Sequence, residues 1–138
     1  MKISDKINSR TIVLPVKSLS THDVLQELLN HCKTLNYITS TSKLISSFDE
    51  KEKKINSASG RGIAYHYNNS IEVEDMIAVL GVSKEGIDYN ASDGLSCNFI
   101  LLILEPISNE AEHRQFINYF QDMISNIFIK EQLIDAKT

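Results

Sequence analysis

The spacing of apolar and polar positions changes along the chain and separates helical segments from extended ones. Behind Ser20, a typical helix N-cap, apolar residues recur at the spacing of one helix face. A second helix is predicted over residues 42–54, an amphipathic helix from about residue 109, and a short last helix over residues 129–135. The first helix should bury a stripe made of Val24, Leu25, Leu28, Leu29, Cys32 and Leu35.

The middle of the chain has the short apolar runs that are typical of a β-sheet. Strands are predicted over residues 11–16, 63–65, 76–82, 87–89 and 97–104. The first contains Pro15, which cannot donate to a ladder and therefore indicates an edge strand. The last is apolar on both faces, as in a central strand covered by helices. This order predicts an α/β fold: one layered domain over residues 1–138, with a mixed β-sheet flanked by helices.

Composition narrows the functional class. The chain has 138 residues, and its formal net charge of −4 argues against nucleic acid as the main partner, because binding the phosphate backbone needs a broad basic face. The longest strongly apolar run, residues 99–104, is far too short to insert into a membrane, and residues 1–10 are polar. Cys32 and Cys97 have neither metal-ligand nor disulfide spacing, which predicts buried free thiols and a cytoplasmic protein.

Candidate chemistry is concentrated before and within residues 60–67. A glycine-punctuated loop leads into a short apolar segment and places His66 just past the predicted end of a strand. Ser57 offers a hydroxyl, Gly62 lets backbone N–H groups approach an anion, and Lys51 and Arg61 supply positive charge. A neutral imidazole in such a setting is suited to accepting a phosphoryl group. Two ordinary interpretations compete: a solvated histidine, and lysines that stabilise the end of a helix.

A second histidine, His113, lies near the start of the helix that follows the central strand. Ligand crevices in α/β sheets form where strands end and the following helices begin, so His66 and His113 are expected to meet in one crevice. The other two histidines, His22 and His31, are expected on or beside the polar face of the first helix and in solvent.

In the order and spacing of several blocks, the chain resembles the fructose/mannitol-type EIIA domains of the bacterial phosphoenolpyruvate-dependent sugar phosphotransferase system. This family includes the nitrogen-regulatory EIIA proteins, and the resemblance covers nearly the whole chain. The blocks are the Ser20 helix, residues 49–54, Ser57 with the glycine loop, residues 86–89, Asp93-Gly94, Glu105-Pro106 and Glu112-His113.

The resemblance implies roles for these residues. His66 would be the phosphoacceptor and His113 the second imidazole beside it. Phosphate-binding positions would be Lys51, Ser57, Arg61 and Gly62. An HPr-like phosphocarrier would donate the phosphoryl group, and an EIIB domain or a regulated protein would receive it or respond to it. Neither a metal nor an organic cofactor would be required.

The glycine loop departs from the family pattern, Gly-(Ile/Val)-Ala-x-Pro-His. The proline is missing, and the segment between Ala64 and His66 is one residue short. Counting without a gap from the glycines puts Tyr67 at the acceptor position, whereas counting back from Ile87 and Pro106 favours His66. Two functions follow: a phosphocarrier, or an EIIA-like regulatory module with weak or no phosphoryl acceptance. An unrelated α/β domain that binds a small molecule is the third possibility.

Overall fold

The computed structural model describes residues 7–54, 58–60, 62–90, 93–106 and 112–124. Eight helices and strands lie in these ranges. In chain order they are β1 (Ile12–Val13), α1 (Thr21–Thr34), α2 (Ser42–Lys54), β2 (Ala58–Gly60), β3 (Ile63–Asn69), β4 (Ile77–Ile87), β5 (Cys97–Glu105) and α3 (Glu112–Ile124). The predicted last helix, residues 129–135, lies outside the described residues.

The strands form one five-stranded sheet in the order β1-β4-β5-β3-β2. Two neighbouring pairs are parallel, β1 with β4 and β3 with β5, and two are antiparallel, β4 with β5 and β2 with β3. β1 lies at an edge, as Pro15 predicts. The predicted α/β class, with a mixed sheet flanked by helices, is therefore confirmed.

Helices cover both faces of the sheet. On one face, here called the helix-pair face, side chains of α1 and Phe48 of α2 pack on alternate residues of β5, including Ile100, Leu102 and Leu104. On the other, the α3 face, Phe116 and Phe120 pack on the intervening residues, including Leu101 and Ile103. Because side chains alternate along a strand, β5 contributes to both cores, which explains why it is apolar on both faces.

α1 follows the sequence prediction closely. The hydroxyl of Ser20 accepts a hydrogen bond of 3.2 Å from the backbone N–H of Asp23, which satisfies one free donor of the first turn. Five residues of the predicted stripe are fully buried, and the sixth, Leu35, is half-buried. Cys32 and Cys97 are buried free thiols, as predicted, and burial raises the pKa of Cys32 to about 12.

Several strands differ in length from the prediction, and the first, predicted over residues 11–16, is only Ile12–Val13. The two predicted strands 76–82 and 87–89 correspond to one strand, β4 (Ile77–Ile87), because Gly86, with φ of 86°, carries the backbone through a register shift between Val82 and Ile87. Residues 88–89 lie outside it. The sequence Ala-Ser-Gly of β2 has weak strand propensity, and this strand was not predicted. β3 continues to Asn69 instead of ending near residue 65, because it pairs with β5 along its whole length. Among the described helices, none is long and apolar enough to cross a bilayer.

The cap of α1 gives a test of the fold. Replacing Ser20 by alanine removes the oxygen that accepts the Asp23 N–H, and we expect it to lower the free energy of unfolding by about 1 kcal/mol. Urea denaturation followed by circular dichroism measures the change. The matched control is Ser46→Ala at an exposed position within α2, where no loss is expected. Equal losses in the two variants would contradict the capping role.

Candidate functional site

His66 lies within β3, and not at a strand end. It is the fourth residue of Ile63–Asn69, it pairs with Leu102 of β5, and it is only 2% exposed. The predicted position just past the end of a strand is therefore wrong. The reason is that residues 67–69 continue the ladder with residues 103–105 and bring the imidazole into the interior.

Aromatic side chains enclose the imidazole. Nε2 of His66 is hydrogen-bonded to the hydroxyl of Tyr89 at 2.8 Å, and the Phe48 ring meets the imidazole edge-on with centroids 6.0 Å apart. Oε2 of Glu52 is 3.9 Å from Nδ1, which is too long for a direct hydrogen bond. Burial lowers the pKa of His66 to about 4, so the ring is neutral at neutral pH.

The imidazole points to the helix-pair face. Its neighbours Phe48 and Tyr89 belong to that core, whereas Tyr65 and Tyr67 pack on the opposite, α3 face. His113 is the second residue of α3, and its side chain lies outside what the structure describes. The expectation that His66 opens into a crevice is therefore wrong, because His66 is enclosed on the face that α3 does not cover. The role of His113 stays a prediction.

Lys51 adjoins Tyr67. Its Nζ donates a hydrogen bond of 2.9 Å to the backbone carbonyl oxygen of Tyr67 and lies 5.2 Å from the centroid of that ring. Partial burial lowers the pKa of Lys51. The cation that the sequence analysis assigned to a phosphoryl group on His66 thus ties α2 to the neighbouring residue of β3.

Of the remaining predicted phosphate-binding positions, the structure describes only Gly62. Ser57 and Arg61 lie outside the described residues. Gly62 precedes β3 with φ of 79°, and its carbonyl oxygen accepts hydrogen bonds from the backbone N–H groups of Asn98 and Phe99. Four residues of extended strand, roughly 13 Å, separate it from His66. The phosphate-binding roles of these residues stay predictions.

The shared C-terminal end of β3 and β5, here called the strand-end cluster, consists of Tyr67, Asn69, Glu105 and Pro106. The Asn69 amide nitrogen lies 3.2 Å from the Tyr67 hydroxyl and 3.5 and 3.4 Å from the carbonyl oxygens of Glu105 and Pro106. Glu105 is fully buried. The sequence analysis used Glu105 only as part of the Glu105-Pro106 block. A carboxylate directly after a long apolar run could have indicated a buried acidic group at the strand end.

The two other histidines have structural contacts. Nδ1 of His22 is 2.9 Å from a carboxylate oxygen of Asp49, and the His22 side chain is 58% exposed, as predicted. Nε2 of His31 donates to the carbonyl oxygen of Arg10 at 2.6 Å. Both contacts link α1 to neighbouring segments.

Comparison with known proteins identifies the family. Residues 6–138 match the model of the family described as phosphoenolpyruvate-dependent sugar phosphotransferase system, EIIA 2. The chain belongs to this family. Membership in EIIA 2 confirms the predicted functional class, a phosphocarrier or regulatory component of this system.

Relatives of this EIIA 2 member agree with the fold. The chain is 21% identical over all 138 residues to the fructose-specific EIIABC component of Bacillus subtilis strain 168, but spans only 22% of that protein's length. The crystal structure of nitrogen regulatory protein IIA-Ntr from Neisseria meningitidis has a TM-score of 0.84 and 19% identity, over 99% of this chain and 92% of that one. Mannitol enzyme IIA of Escherichia coli, in a complex with phosphorylated enzyme IIB, has a TM-score of 0.76 and 15% identity, over 96% of this chain and 91% of that one.

The buried imidazole makes stability depend on pH. Its pKa is about 4 in the folded protein and near 6.5 when it is exposed by unfolding, so the unfolded state binds the proton first as the pH falls. The contribution of His66 to the free energy of unfolding is therefore complete above pH 6.5. As the pH falls from about 6.5 to 4, the free energy of unfolding should decrease by about 3 kcal/mol.

Urea denaturation at several pH values measures this loss. We expect a flatter pH dependence over that range in His66→Gln than in the wild type. An unchanged slope in His66→Gln would mean that His66 titrates alike in the folded and unfolded states.

Proposed function

We propose that this chain is a regulatory EIIA component of the phosphotransferase system, which binds partner proteins and does not carry phosphate on His66. The observation that carries the proposal is the enclosure of the His66 imidazole, which is 2% exposed within β3. Family membership supports a partner from this system. The solved complex of mannitol enzyme IIA with phosphorylated enzyme IIB supports an EIIB domain as one such partner. An HPr-like phosphocarrier is the other.

Phosphoryl transfer between proteins needs close, in-line access to the accepting nitrogen. The donor phosphorus must approach to about 3–3.5 Å along the axis of the new bond. Nε2 of His66 already faces the hydroxyl of Tyr89, and Phe48 packs against the ring. A carrier protein docked on the surface therefore has no direct path to this nitrogen in the conformation described.

The charge of a phosphoryl group also disfavours His66 as its site. Phosphorylation would add about 1.5 to 2 negative charges in an apolar interior, where an uncompensated charge is costly. Glu52, whose Oε2 lies 3.9 Å from Nδ1, is itself acidic. Lys51 is directed to the Tyr67 carbonyl oxygen. Both features favour an imidazole that stays unmodified.

The second candidate is a phosphocarrier that uses His66, with His113 and the predicted phosphate-binding residues. It is favoured by the neutral state of the imidazole, since a free nitrogen lone pair is the nucleophile in such a transfer. It requires that the Tyr89 hydrogen bond break and that the imidazole leave the core before each transfer.

Incubation with phosphoenolpyruvate, Enzyme I and HPr separates the two candidates. We expect the wild-type chain to acquire no acid-labile phosphate, because His66 is enclosed, while a fructose-type EIIA domain in the same reaction is labelled. Phosphate that disappears in His66→Ala and persists in Tyr67→Phe would establish the phosphocarrier.

Binding is measured separately from labelling. Titration of the isotopically labelled chain with HPr and with an EIIB domain should shift backbone amide resonances with at least one of them. A chain that binds neither protein would contradict the proposed partners, whatever the labelling result.

A further inference from the structure

The strand-end cluster lies at the shared carboxyl end of two parallel strands. β3 and β5 are parallel and end side by side at the pair Asn69–Glu105, and the next described element of the chain is α3. In α/β sheets, the space outside the carboxyl ends of parallel strands and beside the following helix is where ligands and reacting groups bind. His66 is three residues short of this edge and points to the other face.

Tyr67, unlike His66, lies on the face that α3 covers and close to the end of the strand. It is half-buried, it packs on the α3 face, and it lies two residues before the end of β3. The amide of Asn69 lies 3.2 Å from its hydroxyl, and Nζ of Lys51 lies 5.2 Å from its ring centroid. A hydrogen-bond donor and a cation are thus already arranged around the side chain at position 67, and both are groups that stabilise a phosphoryl group.

The ladder between β3 and β5 supports the count from the glycines without a gap, which puts Tyr67 at the acceptor position of the family pattern. Pairing runs from Ile63–Phe99 to Asn69–Glu105, one residue at a time, without a bulge. Because side chains alternate strictly along a strand, the ungapped count from Gly62 puts Tyr67, and not His66, on the face that α3 covers.

We infer that position 67 is the acceptor position of this chain and that Tyr67 blocks it. This inference rests on the proposed function, in which an HPr-like phosphocarrier is a partner, and places the docking of that carrier at the α3 face. An imidazole at position 67 would attack the phosphorus with a neutral nitrogen; the bond from phosphorus to the carrier's imidazole breaks, and the carrier's nitrogen keeps the electron pair. The phenol of tyrosine is protonated at neutral pH and is a poor nucleophile for this step.

The test is the variant Tyr67→His in the reaction with phosphoenolpyruvate, Enzyme I and HPr. We expect it to acquire acid-labile phosphate to at least ten times the background signal of the unlabelled wild type. The matched control is Tyr65→His, which places the same imidazole on the same face but beneath Phe120 of α3. It should stay unlabelled. Adding Lys51→Ala to Tyr67→His should slow labelling severalfold, because the cation beside position 67 is lost.

Two results would overturn the inference: a folded Tyr67→His that binds HPr but stays unlabelled, or equal labelling of Tyr65→His. Label in the wild type that His66→Ala removes would instead refute the proposed function, so the two failures are distinguishable. If Tyr67→His does not fold, titration of the wild-type chain with HPr tests the inference through the location of the docking face. Amide shifts should centre on residues 67–69 and the start of α3, and shifts confined to the helix-pair face would refute the inference.

Discussion

The parallel pairing of β3 with β5 determines which side chains of the candidate site are accessible. Seven consecutive residue pairs, from Ile63–Phe99 to Asn69–Glu105, fix the face to which every side chain of β3 points. A shift of one residue would exchange the two faces and bring His66 under α3 and Tyr67 into the helix-pair core. The apolar residues of β5 oppose such a shift, because each of its faces already packs against a different set of helices.

Several local features follow from this register. His66 enters a core of apolar and aromatic side chains, where burial holds it neutral and the Tyr89 hydroxyl is its hydrogen-bond partner. Asn68, on the same face, donates to the Ser47 hydroxyl of α2, and Lys51 of the same helix bonds the Tyr67 carbonyl oxygen. α2 is therefore joined by polar contacts to the two residues of β3 that follow the buried imidazole. These contacts make His66 part of the packing of the fold, whatever its chemical role.

The sequence predicted the architecture better than it predicted the site. The Ser20 cap, the stripe of α1 and the two-sided apolar run of β5 are local or periodic signals, and each is present in the structure. The length of β3 was not predicted, because the residues Tyr-His-Tyr-Asn-Asn lack a clear apolar alternation. They are extended because they pair with β5. The facing of His66 depends on that length and register. Two ways of counting along the chain therefore gave different acceptor positions, and only the pairing with a distant strand shows which of the two side chains faces α3.

Chemical modification of the folded protein tests the enclosure of His66 most directly. Diethylpyrocarbonate acylates accessible neutral imidazoles, and peptide mass spectrometry reports the rate at each histidine. The account predicts that His22, with a 58% exposed side chain, reacts readily, and that His66 reacts only when the protein is unfolded. Modification of His66 in the folded protein as fast as that of His22 would show that the imidazole is open to solvent and would contradict the account.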